Sequence, residues 1–293
     1  MVASGLSIGL GYGWADGRPF LRVRQLSDQA VHTVPMRGEL RFAVQGDRRC
    51  TGYFDGTVSH PCPQGLSLRS GVACERCQQR DAFRPCMRCD GTRCPPLAPA
   101  MRRYCRQDHH LYLACFGDDT IKVGTASHPR RRQRIVEQGP LAAARVARGE
   151  GPRIKQLERW LSQGAFTETM RRARKTALLS GSMSVEEAEQ RVLDAAERLR
   201  DELPERFVGL LHTPELVQAP PLAVDSRSLS VQPVQLEPGV VLAGEVVGAV
   251  GHVVFLRDDD GVFAFDLGEL KGRVVDLSPD DGGRKPVVQL GLF

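Results

Sequence analysis

The chain has 293 residues, 41% hydrophobic and 26% charged, which is enough apolar content for an ordinary core and room for two domains or more. No stretch approaches the roughly 20 apolar residues of a membrane span. The start, MVASGLSIGLGYGWADGRPF, has no basic beginning and no continuous apolar run, so the expectation is a cytoplasmic chain without a secretory signal. The formal charge of +5 is unevenly spread. Residues 101–175 hold 17 Lys and Arg against 7 Asp and Glu, which leaves 23 basic and 28 acidic residues elsewhere. Concentrated positive charge suits a nucleic-acid backbone, although a protein that docks an acidic neighbour would show the same asymmetry.

Residues 1–49 suggest β-structure, with glycine-rich turns and a strand over 39–44 that leads into Cys50. Eight of the nine cysteines then fall within 50–108: Cys50, Cys62, Cys74, Cys77, Cys86, Cys89, Cys94 and Cys105. Two C-x2-C pairs within sixteen residues have zinc-site spacing, and a cytoplasmic chain keeps its thiols reduced. Eight thiolates make two tetrahedral sites. The simplest division is Cys50, Cys62, Cys74, Cys77 and then Cys86, Cys89, Cys94, Cys105; a cross-braced division fits the spacing almost as well. His60, His109 and His110 are possible replacements for a thiolate, chiefly for Cys105. Closed four-thiolate sites leave no position for water, so this zinc is expected to be architectural. Cys115 stands apart as a small buried hydrophobe.

A hairpin follows, with β-formers over 110–116 and 120–124 separated by Gly117-Asp118-Asp119. A helix is expected from Pro129 to a stop at Gly139 and Pro140. Within it, Arg132 precedes Ile135 by three residues and Val136 by four, so it should turn toward the apolar side and need an anionic partner. Arg130 and Arg131 flank it as candidate nucleic-acid contacts. In the next helix, over 153–163, Ile154, Leu157, Glu158 and Leu161 form one face on which Glu158 is the single carboxylate. A buried carboxylate must be paired, protonated or bound to a metal. The alternative is a boundary residue leaning toward solvent or pairing with an arginine.

Tyr112 in HLYLA, the IKVG ending at Gly124, Arg132 eight residues on and helical Glu158 together resemble the GIY-YIG nuclease superfamily over about a fifth of the chain. An uncharacterised cysteine-rich branch of bacterial and archaeal proteins, a domain of unknown function, is more similar still. Its H-x-Y-L-A, K-V-G and R-x-x-x-Q-G correspond to residues 110–114, 122–124 and 134–139, which makes Arg134 rather than Arg132 the counterpart of the superfamily arginine. The resemblance implies that Tyr112 and one of the two arginines surround a scissile phosphate. It also implies that Glu158 holds one Mg²⁺ or Mn²⁺. Lys122 departs from the pattern, standing where a second tyrosine is usual, and no histidine or tyrosine lies one turn beyond either arginine. A lysine can bind a phosphate but lacks the phenol, and proton transfer by a positioned group contributes about two to four orders of magnitude.

The cluster of Arg171 to Lys175 is either a solvated face or an extension of the binding surface through Arg171 and Arg172. Ser184 and Glu187 form a capping-box pattern opening a helix that Pro204 ends, with Val185, Ala188, Val192, Leu199 and Leu203 as its packing stripe. Prolines and serines over 214–235 indicate a linker. From Leu236 short valine-rich runs alternate with turns, and the DDDG among them is a hairpin turn rather than a calcium loop.

The expected architecture is therefore α+β. A β-rich segment (1–49) and a zinc-binding segment (50–108) precede a small GIY-YIG-like sheet with helices (109–213). A linker (214–235) and a β-module (236–293) follow, the last able to pair with the N-terminal strands or dock a protein partner. The expected activity is metal-dependent phosphodiester hydrolysis of nucleic acid. Non-cleaving recognition of DNA or RNA, and a protein-interaction adaptor, are the alternatives.

Overall fold

The computed structural model describes residues 5–218 and 231–278 of an α+β protein. It forms two compact units, Met1–Asp81 with Pro221–Phe293, and Ala82–Pro220. Most of the expected linker (219–230) and the end of the expected β-module (279–293) lie outside the described residues. Among the described residues no helix is long and apolar enough to cross a membrane.

The first unit opens with an antiparallel series, β1 (Leu6–Ala15), β2 (Arg18–Gln25) and β3 (Val31–Pro35), followed by the long β4 (Gly38–Arg49). Alternation along the strands turns Leu21, Val23, Phe42 and Val44 into one core. Past β4 the chain makes a small ladder of β5 (Tyr53–Phe54) with β6 (Ser59–His60). It returns to β4 as β7 (Ser67–Leu68) and ends in α1 (Glu75–Arg80).

The second unit begins with a 3-10 turn at Arg84–Arg88 and α2 (Pro99–Arg106). The cysteine-rich stretch expected as one segment is thus divided after Asp81. Its first part is laced into the β4 sheet, and its second part bonds to later helices. The hairpin is β8 (Asp108–Cys115) with β9 (Ile121–Ser127), followed by α3 (Gln133–Val136) and β10 (Ala142–Glu150). Four helices come next: α4 (Gly151–Leu161), α5 (Arg172–Ala177), α6 (Val185–Glu202) and α7 (Glu205–Val208). The unit closes with β11 (Leu211–Leu216), giving a sheet in the order β11-β10-β8-β9.

Both faces of this sheet are buried. Leu111, Leu113, Cys115, Val123 and Ala144 meet Ile154 and Leu157 of α4 and Val192 and Leu199 of α6. The alternate residues Tyr112, Ala114 and Ala143 meet Ile135 and Met170. The α6 helix starts as its sequence indicates, with Ser184 Oγ accepting from the Glu187 N–H at 3.0 Å. Val185 of its expected stripe is exposed, because it sits in the first turn before the helix meets the sheet.

One expectation fails in form. Residues 129–139 hold no continuous helix: a 3-10 turn at His128–Arg130 precedes the single α-turn of α3. Pro129 nucleates the tighter turn, so the 100° per residue needed to swing Arg132 inward does not apply there.

The chain re-enters the first unit through β12 (Val231–Pro233), β13 (Val241–Val250), β14 (Val253–Asp258), β15 (Gly261–Asp266) and β16 (Arg273–Asp276). Asp258 closes the DDDG hairpin by accepting the Asp260 and Gly261 N–H groups at 2.8 and 3.2 Å. The two ends share one sheet, since β13 and β16 flank β4 and β16 also pairs with β1.

Candidate functional site

Cys50, Cys62, Cys74 and Cys77 bring their sulfurs within 4.8 Å of one another, the one such group among the described residues. Cys50 follows β4, Cys62 follows β6, and Cys74 and Cys77 share the first turn of α1. Gly52 makes the approach possible. It takes φ +90°, and a Cβ there would lie 1.8 Å from the His60 carbonyl oxygen. The Cys62 and Cys74 sulfurs are 3.9 Å apart. A tetrahedral zinc with bonds of about 2.3 Å sets sulfurs about 3.8 Å apart, so the donor set fits. The Cys74 N–H donates to the Cys50 sulfur at 3.2 Å. Burial raises the Cys62 thiol, but N–H groups of Leu66 and Gln64 and the neighbouring thiols bring it down to about 7, toward the thiolate a metal requires.

The second quartet is looser. Burial raises Cys105 to about 11, with Cys94, Cys89 and Cys86 adding to the shift, so the four are electrostatic neighbours without the compact sulfur geometry of the first. The first four cysteines group as the simplest division has them. The histidines considered as substitutes are engaged elsewhere. His60 bonds Asp55 at 2.6 Å, His109 Nδ1 meets the Gln107 carbonyl at 2.9 Å, and His110 meets His128 at 2.9 Å. Cys115 is fully buried beside Met183.

The charged cluster lies in the second unit. Tyr112 on β8 is 1% exposed and faces Gly124 on β9. A Cβ at Gly124 would stand 2.4 Å from the Tyr112 hydroxyl, so the glycine makes room for the phenol. Burial pushes Tyr112 up to about 12; Arg134 pulls it down, and Glu158 and Glu137 push it further. It keeps its proton near neutrality. Lys122, 8% exposed, lies 5.9 Å from the Tyr112 ring centre and donates to the Val123 carbonyl at 3.1 Å. Burial lowers it to about 8, Glu158 opposes that, and Arg134 adds to it.

Glu158 is 4% exposed on α4, on the face its spacing indicates. Its carboxylate pairs with Lys155, one turn earlier, and the same ammonium lies 3.4 Å from Glu168. Burial raises the Glu158 pKa, with Lys155 as the main opposing charge. Glu158, Glu168, Asp90, Lys155 and Arg159 line a cavity of about 260 Å³ that Cys89 and Met87 also border.

The two arginines separate. Both are exposed, but Arg132 caps α3 while Arg134 bears on Tyr112, Lys122 and Lys175. The inward turn expected of Arg132 is therefore not seen, and Arg134 does not take its place, since both side chains are exposed. Arg130 gives both its hydrogen bonds to buried Glu137 at 2.9 and 2.8 Å, and Arg131 bonds the His128 carbonyl at 2.7 Å. Arg171 and Arg172 stay exposed at the start of α5.

Sequence reasoning missed Lys155, Glu168, Gln138 and Lys175. The Lys155–Glu158 spacing of three was a readable signal. Glu168 had none. It arrives because Thr167 pairs with β9, donating to Ile121 and accepting from Val123 at 3.1 and 2.9 Å.

The sequence model of a family described as "Protein of unknown function (DUF2797)" matches residues 38–275. No curated protein matches the chain, and no solved structure does.

Proposed function

This chain belongs to the DUF2797 family, and we propose that its central unit hydrolyses phosphodiester bonds of a nucleic acid at a GIY-YIG-like site that uses Mg²⁺ or Mn²⁺. The observation that carries this reading is Lys122 at 5.9 Å from the ring of buried Tyr112, with the buried carboxylate of Glu158 and the charge of Arg134 both acting on the pair. Glu158, Glu168 and Asp90 offer oxygen donors on one cavity, the ligand type these ions take. When bound, the ion would polarise the phosphate and stabilise the leaving oxygen. Arg134 would balance charge that develops on the phosphate. Tyr112 retains its proton, so it donates a hydrogen bond to the water or a phosphate oxygen and does not act as the base. Lys122 binds a neighbouring phosphate oxygen. The two cysteine quartets each hold one structural Zn²⁺ in this reading, the first with the better supported geometry.

Glu158→Gln should lower cleavage by about a hundredfold or more and leave strand affinity intact. Retained cleavage would remove the carboxylate from the chemistry.

A second reading, non-cleaving recognition of nucleic acid, draws on the Lys155–Glu158 ion pair, which already neutralises the carboxylate, and on Lys122 in place of a phenol. Lys155→Met separates the two. The hydrolytic reading expects Mn²⁺ binding, followed by calorimetry, to tighten by about tenfold, equivalent to one pKa unit of lost competition. Unchanged affinity would favour the binder.

A further inference from the structure

Lys175 is 7% exposed on α5, in a run whose other basic residues are exposed. Its ammonium donates to Gln138 Oε1 at 2.5 Å and lies 4.5 Å from the Phe116 ring centre. Among the described residues it makes no ion pair. The charged groups that bear on it, Lys122, Arg134 and Arg172, are all positive. Lys122 is equally buried and donates only to a backbone carbonyl, with Glu158 and Glu168 offsetting its charge in part. Arg134 makes no hydrogen bond or ion pair among the described residues. Two lysines less than a tenth exposed, with the charge of an arginine that makes no hydrogen bond among the described residues acting on both, form an arrangement that burial penalises unless an anion completes it.

We propose that Lys175, together with Lys122 and Arg134, binds a phosphate group of a nucleic-acid strand, with Gln138 orienting the Lys175 ammonium. The inference rests on the nuclease reading for the strand as the source of the phosphate, and on the cluster alone for the anion. Phosphate suits it because three cationic donor groups that act on one another, one a guanidinium, match the several acceptor oxygens of a phosphate.

The test is phosphate-dependent thermal shift and calorimetry on the zinc-loaded full chain, with inorganic phosphate as the probe and chloride at equal ionic strength as the control. No divalent ion is added, so the result is independent of cleavage. Lys175→Met should weaken phosphate binding by about tenfold or more, and Lys175→Arg should restore most of it. Displacement of phosphate by an oligonucleotide supports the strand as the source; displacement by mononucleotides but not oligonucleotides would overturn that part. No phosphate binding by the wild type, or equal affinity in Lys175→Met, would overturn the site itself. A chain that binds phosphate through Lys175 yet cleaves nothing would keep this site and discard the nuclease reading.

Discussion

The first cysteine quartet and the charged cluster of the second unit solve opposite problems. Around Cys50, Cys62, Cys74 and Cys77, ligands of one kind are compressed from three turns of chain, and backbone N–H groups stabilise the negative charge they would carry. Around Glu158 and Lys175, charges of both signs are buried with incomplete pairing: one carboxylate is met by a lysine of its own helix, and two ammonium groups have no carboxylate bonded to them. The quartet has the form of a staple that is complete once one ion enters. In the cluster, burial and like charge hold Lys122 and Lys175 below the ordinary lysine range, the penalty that the proposed anion would relieve.

The largest effect expected from this contrast is at the quartet. Cys77→Ala should unfold the first unit, since a structural zinc contributes on the order of 10 kcal/mol, comparable to the whole stability of a domain. Zinc content should fall from about two ions per chain to about one, with early loss of the β signal on heating. A variant that melts like the wild type would make the quartet incidental.

Within the cluster, Arg134→Ala should lower cleavage by about a hundredfold, while Arg132→Ala should change it by less than about threefold. Equal losses would mean that the site is drawn around the wrong arginine. The smallest effect is on stability. Burial lowers Lys175 to about 7, against an ordinary value of 10.5, with Lys122, Arg134 and Arg172 adding to the shift. The charged form is therefore penalised fully below pH 7, and the penalty fades as pH rises from 7 toward 10.5. Without phosphate, Lys175→Met should melt higher than the wild type at pH 7, by about 2–4 °C per kcal/mol relieved. That gap should close toward pH 10.5. A gap that is flat with pH would show that Lys175 is not buried as an ammonium.

The parts legible in the sequence are those set by local pattern. Runs of β-formers on either side of Gly117-Asp118-Asp119 located β8 and β9, the i, i+3, i+4, i+7 face placed Glu158 inward on α4, and Ser184 with Glu187 marked the start of α6. Spacing also gave the first quartet. The basic stretch after β9 misled, because a run with arginines on every side gives no helical face and Pro129 starts a 3-10 turn. Glu168 and Lys175 were out of reach. One enters through a strand contact of Thr167 with β9, and the other is buried over Phe116, 59 residues away in sequence.

The most direct test of the nuclease reading is cleavage of end-labelled single-stranded DNA, duplex DNA and structured RNA by the zinc-loaded wild type. Each substrate would be incubated with Mg²⁺, with Mn²⁺ and without a divalent ion. The account predicts cleavage of at least one substrate that appears only with the added ion. Salt-sensitive binding of a strand with no cleavage under any of these conditions would contradict it.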